Sequence, residues 1–333
     1  MLKLNDQWIW DFWTYKDGPL WHIWFLKADK SLQDESLRHW NVTHGHATSP
    51  DLKNWEYHGT CMEPAKSPSW DDKTVWTGSV LREGGLWHLF YTGTCAAEGG
   101  KRQRIGHATS NDGHNWQRVG DGLALDLVAG DEVSSLYEEH DDLTNGPWDG
   151  RAMRDPWVIR DPHGSGWLMY FTARLAGGDE LNARGAVGLA RSDDLSHWTL
   201  QAPVYAGGDY GQLEVPQVFE IDGRWYCVFC NAAEHWSKSR VQAYAEAGHG
   251  TPVWGTHYLM APDAMGPWTV ADTPFLDGAM PCRRYAGKII GSDGGLVLLG
   301  FEYWDADGDF VGQICDPVAV HVDPSTGLLS LAE

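Results

Sequence analysis

The chain has 333 residues, enough for one large domain or two ordinary ones, and carries a formal net charge of −21. This acidic balance argues against nucleic acid and anionic membrane surfaces as partners, because both require clustered Lys and Arg. The most apolar run, residues 295–301, is far too short to span a bilayer, and the N-terminus has no cationic region followed by an apolar core. A cytoplasmic protein without a membrane partner is therefore expected.

The cysteines and histidines do not indicate a metal site. Cys227 and Cys230 form a CxxC pair, but they lie in an apolar strand pattern, without a second pair and without histidines at zinc spacing. They are interpreted as reduced core thiols, and neither a metal nor another cofactor is expected.

Alternating, strongly β-prone segments follow one another along the chain, and helical periodicity is nearly absent. They come in five pairs: 8–15 with 20–26, 75–82 with 86–92, 153–160 with 166–172, 213–221 with 224–230, and 284–290 with 296–303.

A sequence repeat follows these pairs. GHATSPDLKNW at 45–55 recurs as GHATSNDGHNW at 106–116 and as GLARSDDLSHW at 188–198. A looser copy lies at 259–268, and a degenerate one begins at Gln313. The Asp of each copy suits a turn between the third and fourth strands, and the Trp suits packing between repeats, so this pair is interpreted as structural.

Short strands, regular turns and a repeated unit indicate an all-β fold, a five-bladed β-propeller with four-stranded antiparallel blades around a central active-site cavity. We expect residues 1–333 to form a single propeller domain, with residues 319–331 completing the last blade. An acidic stretch with few β signals, about 121–150, is expected to be an insertion between blades two and three.

Three carboxylates fall at equivalent places in three blades. The innermost strand of each propeller blade lines the central channel, and Asp11, Asp155 and Glu214 stand near the start of such strands. Acidic groups crowded at one mouth repel each other, so the arrangement requires a reason. Two carboxyl groups flanking a scissile bond are the equipment of glycoside hydrolysis. Salt bridges between blades, or a central cation, would also account for these acids.

Five short motifs stand on matching strands along nearly the whole chain. They are Trp10-Asp11-Phe12-Trp13, His39-Trp40 with residues 45–49, Trp76-Thr77-Gly78-Ser79, Arg154-Asp155-Pro156 and Glu214-Val215-Pro216-Gln217. In this order they resemble the motifs of the five-bladed propeller glycoside hydrolases of families 32 and 68, the invertase and levansucrase group. Val215 and Gln217 depart from the family 32 pattern, where a Cys and an Asp stand, and no C-terminal β-sandwich is evident.

The resemblance implies a retaining hydrolase of β-fructofuranosides such as sucrose or short fructo-oligosaccharides. It assigns Asp11 the attack on the anomeric carbon. It assigns Glu214 the protonation of the leaving oxygen, followed by deprotonation of water. Asp155 is expected to bind ring hydroxyls more strongly in the transition state.

Further residues are expected to hold the carboxylates or contact the sugar. Trp13 lies two residues from Asp11, hence on the same face of a regular strand, and Arg154 is expected to hold Asp155. Loops between second and third strands should reach the same mouth and contact the leaving group. The complete predicted binding set is Trp10, Trp13, Trp76, Ser79, Arg154, Arg104, His235 and Trp304.

Three alternatives stay open on sequence alone. A fructosyltransferase of the same clan would pass the sugar to an acceptor other than water. An inverting arabinofuranosidase-type propeller would hold its carboxyl groups about 6.5–9.5 Å apart, against about 5–5.5 Å in a retaining enzyme. A non-catalytic sugar-binding propeller would cleave nothing. The expected partner is a small carbohydrate in each case, and the oligomeric state is not indicated.

Overall fold

Antiparallel sheets account for most of the fold. The computed structural model describes residues 1–140 and 150–332, and within them the strands form five sheets, each built on a path of four strands. This confirms the predicted five-bladed β-propeller. Within the described ranges no helix has the length and apolarity needed to cross a membrane.

The blades follow chain order. Blade one comprises β1 (Gln7–Asp17), β2 (Leu20–Asp29), β3 (Thr43–Ser49) and β4 (Glu56–Met62). Blade two comprises β5 (Thr74–Glu83), β6 (Leu86–Thr94), β7 (Arg104–Ser110) and β8 (Gln117–Leu125). Blade three comprises β9 (Met153–Arg160), β10 (Trp167–Arg174), β11 (Gly185–Ser192) and β12 (Thr199–Tyr205). Blade four comprises β13 (Glu214–Ile221), β14 (Arg224–Asn231), β15 (Trp254–Ala261), β16 (Thr269–Val270) and β17 (Asp277–Ala279). Blade five comprises β18 (Arg284–Ser292), β19 (Gly295–Trp304), β20 (Phe310–Ile314), β21 (Val318–Val322) and β22 (Leu329–Leu331).

Helical segments are short and lie in the connections. The α-helix α1 (Lys238–Glu246) stands between β14 and β15. Single 3₁₀ turns occupy Lys30–Leu32, Glu35–Trp40, Ala96–Glu98, Ser134–Leu136, Leu181–Ala183 and Ala233–His235.

The innermost strands close a ring around the channel. β1 contacts β5, β5 contacts β9, β9 contacts β13, β13 contacts β18, and β18 contacts β1. The chain start is tied to the last blade, because Leu2 and Ile314 exchange backbone hydrogen bonds of 3.0 and 2.9 Å. The ring is therefore fastened where its first and last blades meet.

The connection between blades two and three is shorter than predicted at its start. Residues 121–125 belong to β8, because this strand continues its pairing with β7 as far as Leu125. Part of the predicted insertion, residues 141–149, lies outside the described residues.

The repeated Asp is a turn residue, as predicted. One carboxylate oxygen of Asp51 accepts hydrogen bonds from the backbone N–H groups of Lys53 and Asn54, at 2.9 and 2.8 Å. Asp112 and Asp194 make the equivalent pairs of bonds in the next two blades. Such bonds satisfy backbone donors where the ladder stops, and they explain why the motif recurs.

The glycine that opens the repeat makes room for an aromatic ring on the neighbouring strand. Gly45 pairs with Phe25, Gly106 with Tyr91, and Gly188 with Phe171. A Cβ atom at these glycines would lie 2.4, 2.4 and 2.2 Å from the facing ring. Each ring therefore lies flat across the backbone of the third strand.

Gly188→Ala should destabilise the protein by about 1–3 kcal/mol, because the new methyl group overpacks the site against Phe171. The free energy of unfolding in a denaturant titration measures the effect. Gly291→Ala is the matched control, since Gly291 also lies in a strand, has ordinary backbone angles and has open space where Cβ would stand. Equal stability of the two variants would contradict the proposed role of the glycine.

Candidate active site

A pocket of about 160 Å³ opens at one mouth of the channel. It brings together the three predicted carboxylates and four of the eight residues predicted to bind the sugar. These seven are Trp10, Asp11, Trp76, Arg154, Asp155, Glu214 and His235. Within residues 1–140 and 150–332, no group of three or more His, Cys, Asp or Glu side chains is arranged to hold a metal ion.

A register shift in every innermost strand lies at the level of this pocket. The pairing of each blade's first two strands skips residues just after Trp10, Trp76, Arg154, Glu214 and Tyr285. A β-bulge of this kind breaks the alternation of side chains, so two consecutive residues can face the same side. Both Trp10 and Asp11 therefore line the pocket, as do Trp76 with Thr77 and Arg154 with Asp155.

In the last three blades the bulge includes a residue in the left-handed backbone region. Asp155, Val215 and Ala286 have φ values of 58°, 49° and 52°. This conformation is a clear outlier for a β-branched residue such as Val215. It is held from both sides, because the N–H of Val215 donates to Asp155 Oδ2 at 3.1 Å and its carbonyl accepts from Lys288 Nζ at 2.5 Å.

Asp11 is the carboxylate contributed by blade one. Thr77 Oγ1 of blade two donates a hydrogen bond to its Oδ2 at 2.5 Å. Burial and the nearby charge of Asp155 raise the pKa of Asp11 to about 7, while the bond from Thr77 acts in the opposite direction. Near neutral pH Asp11 is therefore partly protonated, whereas an exposed aspartate would be ionised.

Asp155 is the most enclosed of the three, with 5% of its surface exposed. Its Oδ2 accepts from Thr172 Oγ1 at 2.8 Å and lies 3.4 Å from Arg154 Nε. Burial raises the pKa of Asp155, Arg154 opposes this shift, and the charge of Glu214 adds to it. Its own N–H donates to Thr92 Oγ1 at 2.8 Å, which fixes the backbone at the bulge.

Both carboxyl oxygens of Glu214 accept hydrogen bonds. Arg154 Nη2 donates to Oε1 at 2.8 Å, and the Tyr285 hydroxyl donates to Oε2 at 2.6 Å. Burial and the adjacent Glu214 charge raise the pKa of Tyr285 well above its usual value, so Tyr285 remains a hydroxyl donor. The head of Glu214 is thus oriented by residues from blades three and five.

Lys288 of β18 supplies a second buried cation. It is 4% exposed, and its ammonium lies 5.5 Å from the centre of the Trp157 ring. Its positive charge lowers the pKa of Asp11, whereas burial lowers the pKa of Lys288 itself. Lys288 thereby offsets part of the repulsion among the carboxylates.

Aromatic side chains form the pocket wall on the side of blades one and two. Trp76 Nε1 donates to the His39 carbonyl at 2.8 Å, and the His39 ring meets Trp10 edge-on at 5.9 Å. Burial lowers the pKa of His39 to about 3, so its ring is uncharged at neutral pH.

Trp13 and Ser79, two of the residues predicted to contact the sugar, do not line this pocket. Trp13 has no exposed surface and packs edge-on against His44 at 5.0 Å. The bulge at Asp11 cancels the spacing argument that placed Trp13 beside it. Ser79 follows the bulge of β5 and is 3% exposed.

Arg104 and Trp304 also lie outside the pocket. Both terminal nitrogens of Arg104 bind Glu98 at 2.6 and 2.7 Å, and its Nε binds Asp126 at 2.9 Å. Trp304 packs on Tyr303 at 4.4 Å and lines a separate open cavity of about 510 Å³. These contacts hold both side chains away from the pocket. They cannot be predicted from the position of each residue at a strand end.

The pocket lining also includes residues that were not among the predicted site residues, and those with polar or aromatic side chains include Arg38, Thr77, Trp254, Tyr285 and Tyr303. Tyr285 had a usable signal, since it occupies in β18 the pre-bulge position that Glu214 occupies in β13. Thr77 stands within a recognised motif directly after Trp76. Arg38, Trp254 and Tyr303 depend on how the connections and later strands fold over the mouth.

Together, the five blades and the acidic pocket define a propeller of the glycoside hydrolase type. Residues 11–258 match the model of the glycosyl hydrolases family 32 N-terminal domain, and the chain belongs to this family.

Curated relatives match only over part of their own length. An invertase of Wickerhamomyces anomalus is 29% identical over 212 residues, which covers 63% of this chain and 34% of the relative. A sucrose-6-phosphate hydrolase of Escherichia coli is 26% identical over 277 residues, covering 75% of this chain and 52% of the relative. The chain thus spans between a third and about half of these proteins.

Solved structures share the fold along the whole chain. The inulosucrase from Halalkalicoccus jeotgali aligns with a TM-score of 0.74 at 18% identity, covering 99% of this chain and 90% of that one. The Microbacterium saccharophilum β-fructofuranosidase catalytic domain aligns with a TM-score of 0.70 at 17% identity, covering 100% and 84%. At this identity the likeness establishes the propeller fold alone.

Asp11→Asn should stabilise the protein at pH 8 by on the order of 2–4 kcal/mol and have little effect near pH 4. Between pH 3.8 and about 7 the folded chain keeps a proton on Asp11 that the unfolded chain releases. Stability due to this group therefore falls as pH rises through that window, and asparagine cannot ionise. Thermal melting at both pH values measures the effect.

The exposed Asp307→Asn is the charge-matched control, because it also removes one negative charge. An Asp11→Asn gain that is the same at pH 4 and pH 8 would show that the carboxyl charge is not its cause.

Proposed function

We propose that this protein is a retaining β-fructofuranosidase that removes a terminal fructosyl unit from sucrose or short fructo-oligosaccharides. The observation that carries the proposal is the meeting of Asp11, Asp155 and Glu214, from three blades, in one pocket of a family 32 chain. The names of the curated relatives, an invertase and a sucrose-6-phosphate hydrolase, point to the same class of substrate.

In the first step the ionised Asp11 attacks the anomeric carbon of the fructofuranosyl unit while the bond to the leaving oxygen breaks. Thr77 supports this role, because its hydrogen bond favours the ionised form of Asp11. Lys288 does the same through its charge. The product of the step is an ester between the Asp11 carboxylate and the sugar.

Glu214 gives its proton to the leaving oxygen in the first step and takes one from water in the second. Water then attacks the anomeric carbon and frees Asp11. The productive arrangement for this step is the one with Asp11 ionised and the proton on Glu214. Arg154 and Tyr285 fix the direction in which Glu214 points.

Asp155 holds the sugar between these two groups. Its carboxylate accepts hydrogen bonds from the ring hydroxyl groups. These bonds become stronger as positive charge develops on the sugar, so they stabilise the transition state more than the bound substrate. Trp10 and Trp76 give the pocket apolar walls that match the C–H faces of a sugar ring. A cavity of about 160 Å³ suits one sugar ring, and hence attack at a chain end.

Asp11→Ala should lower kcat/KM for sucrose by about 10⁴-fold or more, because no other group can form the covalent intermediate. Glu214→Ala should lose about 10²–10⁴-fold on sucrose but much less on a nitrophenyl fructofuranoside, whose leaving group needs no proton. Sugar release followed by chromatography measures both effects and separates hydrolysis from transfer to a sugar.

Asp17→Asn, at the exposed end of the same strand, is the control and should keep wild-type activity. Full activity of Asp11→Ala would overturn the assignment. A wild-type protein that cleaves no fructofuranoside but binds sugars would make the propeller a binding module.

A further inference from the structure

Two pairs of histidines lie away from the pocket, one in blade one and one in blade two. In blade one, His22 Nδ1 and His46 Nε2 are 3.0 Å apart, and the two rings stack at 5.2 Å. In blade two, His88 Nδ1 and His107 Nε2 are 2.9 Å apart, and the rings again stack at 5.2 Å. Both pairs occupy equivalent positions on the second and third strands, so the sequence repeat places one imidazole pair in each of two blades.

Blade three carries an apolar version of the same pair. The strand register places Leu168 and Leu189 at the positions of the two histidines, and both leucines are buried in a hydrophobic cluster. Leucine is at home in such a place, whereas a buried imidazole loses free energy unless it is hydrogen-bonded. Packing of the fold therefore does not require imidazoles at these positions.

Each histidine pair lies at the joint with the next blade. His46 Nδ1 is 3.3 Å from Nδ1 of His114, which stands in the turn between the third and fourth strands of blade two. His107 stacks on Phe90 at 4.5 Å, and the Phe90 ring meets Trp198 of blade three edge-on at 5.3 Å. The pairs thus belong to the joints between blades one and two and between blades two and three.

An imidazole pair of this kind holds together only while it is short of protons. The bond between the two nitrogens needs one N–H donor and one bare acceptor nitrogen. One added proton places a cation in a buried site, which is costly. A second added proton removes the acceptor and turns two N–H groups toward each other.

The carboxylates that face the pairs are held by other partners. They are Asp17, Glu83, Asp112 and Asp194, which bind Arg82, Arg160 and the backbone N–H groups of two repeat turns. The other titratable groups that face the blade-one pair are bases, namely Arg82, His58 and His114. Added protons on the pairs therefore lack a dedicated counter-ion.

The direction of the pH effect follows from burial. Burial lowers the pKa of His46 and of His107 to about 3, and it also lowers the pKa values of His22 and His88. Once unfolded, each of these side chains binds a proton below its ordinary pKa of 6.5. Stability due to the pairs is therefore complete above pH 6.5 and is lost as the pH falls from there toward 3.

We propose that the two histidine pairs form an acid-sensitive joint that loosens blades one, two and three from one another in mildly acidic solution and closes again when the pH rises. Blades one and two also meet in the pocket, where Thr77 donates to Asp11, so loosening of the joint disturbs the site as well. The inference concerns the fold and does not rest on the proposed function.

The test compares urea unfolding at pH 7 and pH 4.5 in the wild type and in two double variants, His22→Leu with His46→Leu and His88→Leu with His107→Leu. Each variant carries the leucine pair of blade three. In the wild type, one imidazole with a pKa near 3 when folded raises the unfolding equilibrium constant by about 100-fold between these pH values. Each double variant should therefore reduce the acid-induced increase by about 100-fold or more.

Comparison of the two pH values within one protein cancels any change in packing that the leucines cause at both. The exposed His321→Leu is the control and should keep the acid sensitivity of the wild type. The two joints provide independent variants, so either one that folds is sufficient for the test. Acid sensitivity equal to that of the wild type in a folded double variant would overturn the inference.

Hydrogen exchange locates the loosening in the unaltered protein. After correction for the intrinsic effect of pH, amides of β3 and β7 should exchange faster at pH 5 than at pH 7, whereas β11, which carries Leu189, should stay protected. Return to pH 7 should restore protection. Unchanged protection of β3 and β7, or an equal loss in all five blades, would contradict a joint at the histidine pairs.

Discussion

The constraint on which the rest of the pocket depends is the repulsion among three carboxylates brought to one buried place. Burial alone would force protons onto them, as the raised pKa of Asp11 illustrates. Arg154 touches two of them, Lys288 lies close enough to favour the ionised form of Asp11, and Thr77 and the N–H of Val215 each donate to a carboxylate oxygen. These compensations come from blades two to five, so the electrostatics of the pocket exist only in the closed ring.

One backbone device, repeated five times, makes this convergence possible. Every innermost strand shifts register at the same depth, and the residues around the shift are exposed to the pocket instead of alternating away from it. The backbone is therefore nearly five-fold symmetric, while the side chains placed on it are not. The pre-bulge position carries an aromatic, an aromatic, a cation, an acid and a phenol in turn: Trp10, Trp76, Arg154, Glu214 and Tyr285.

The same device explains how far the sequence predicts the molecule. Alternation and the GHATS-type repeat predict the strands, blade count and the three carboxylates, because these depend on local pattern and on ring geometry. Trp13 lies outside the pocket although alternation predicted it beside Asp11, because period-two alternation holds only in an unbroken ladder. No residue in Trp10-Asp11-Phe12-Trp13 indicates the bulge. Arg104 and Arg38 show the other limit. Among residues 1–140 and 150–332, Arg104 forms ion pairs with Glu98 and Asp126 and Arg38 forms none, and only the folded connections decide this difference.

Val215 shows why the pocket requires a rigid ring. A β-branched residue at φ 49° is unfavourable by itself, of the order of 1–3 kcal/mol, and persists only where its surroundings hold it. Here its N–H binds Asp155 of blade three and its carbonyl binds Lys288 of blade five, so one strained peptide joins an anion and a cation from different blades. Loosening any of these blades would release the strain and separate the charges together. Closure of the ring through Leu2 and Ile314 therefore contributes to the position of the carboxylates as well as to the stability of the fold.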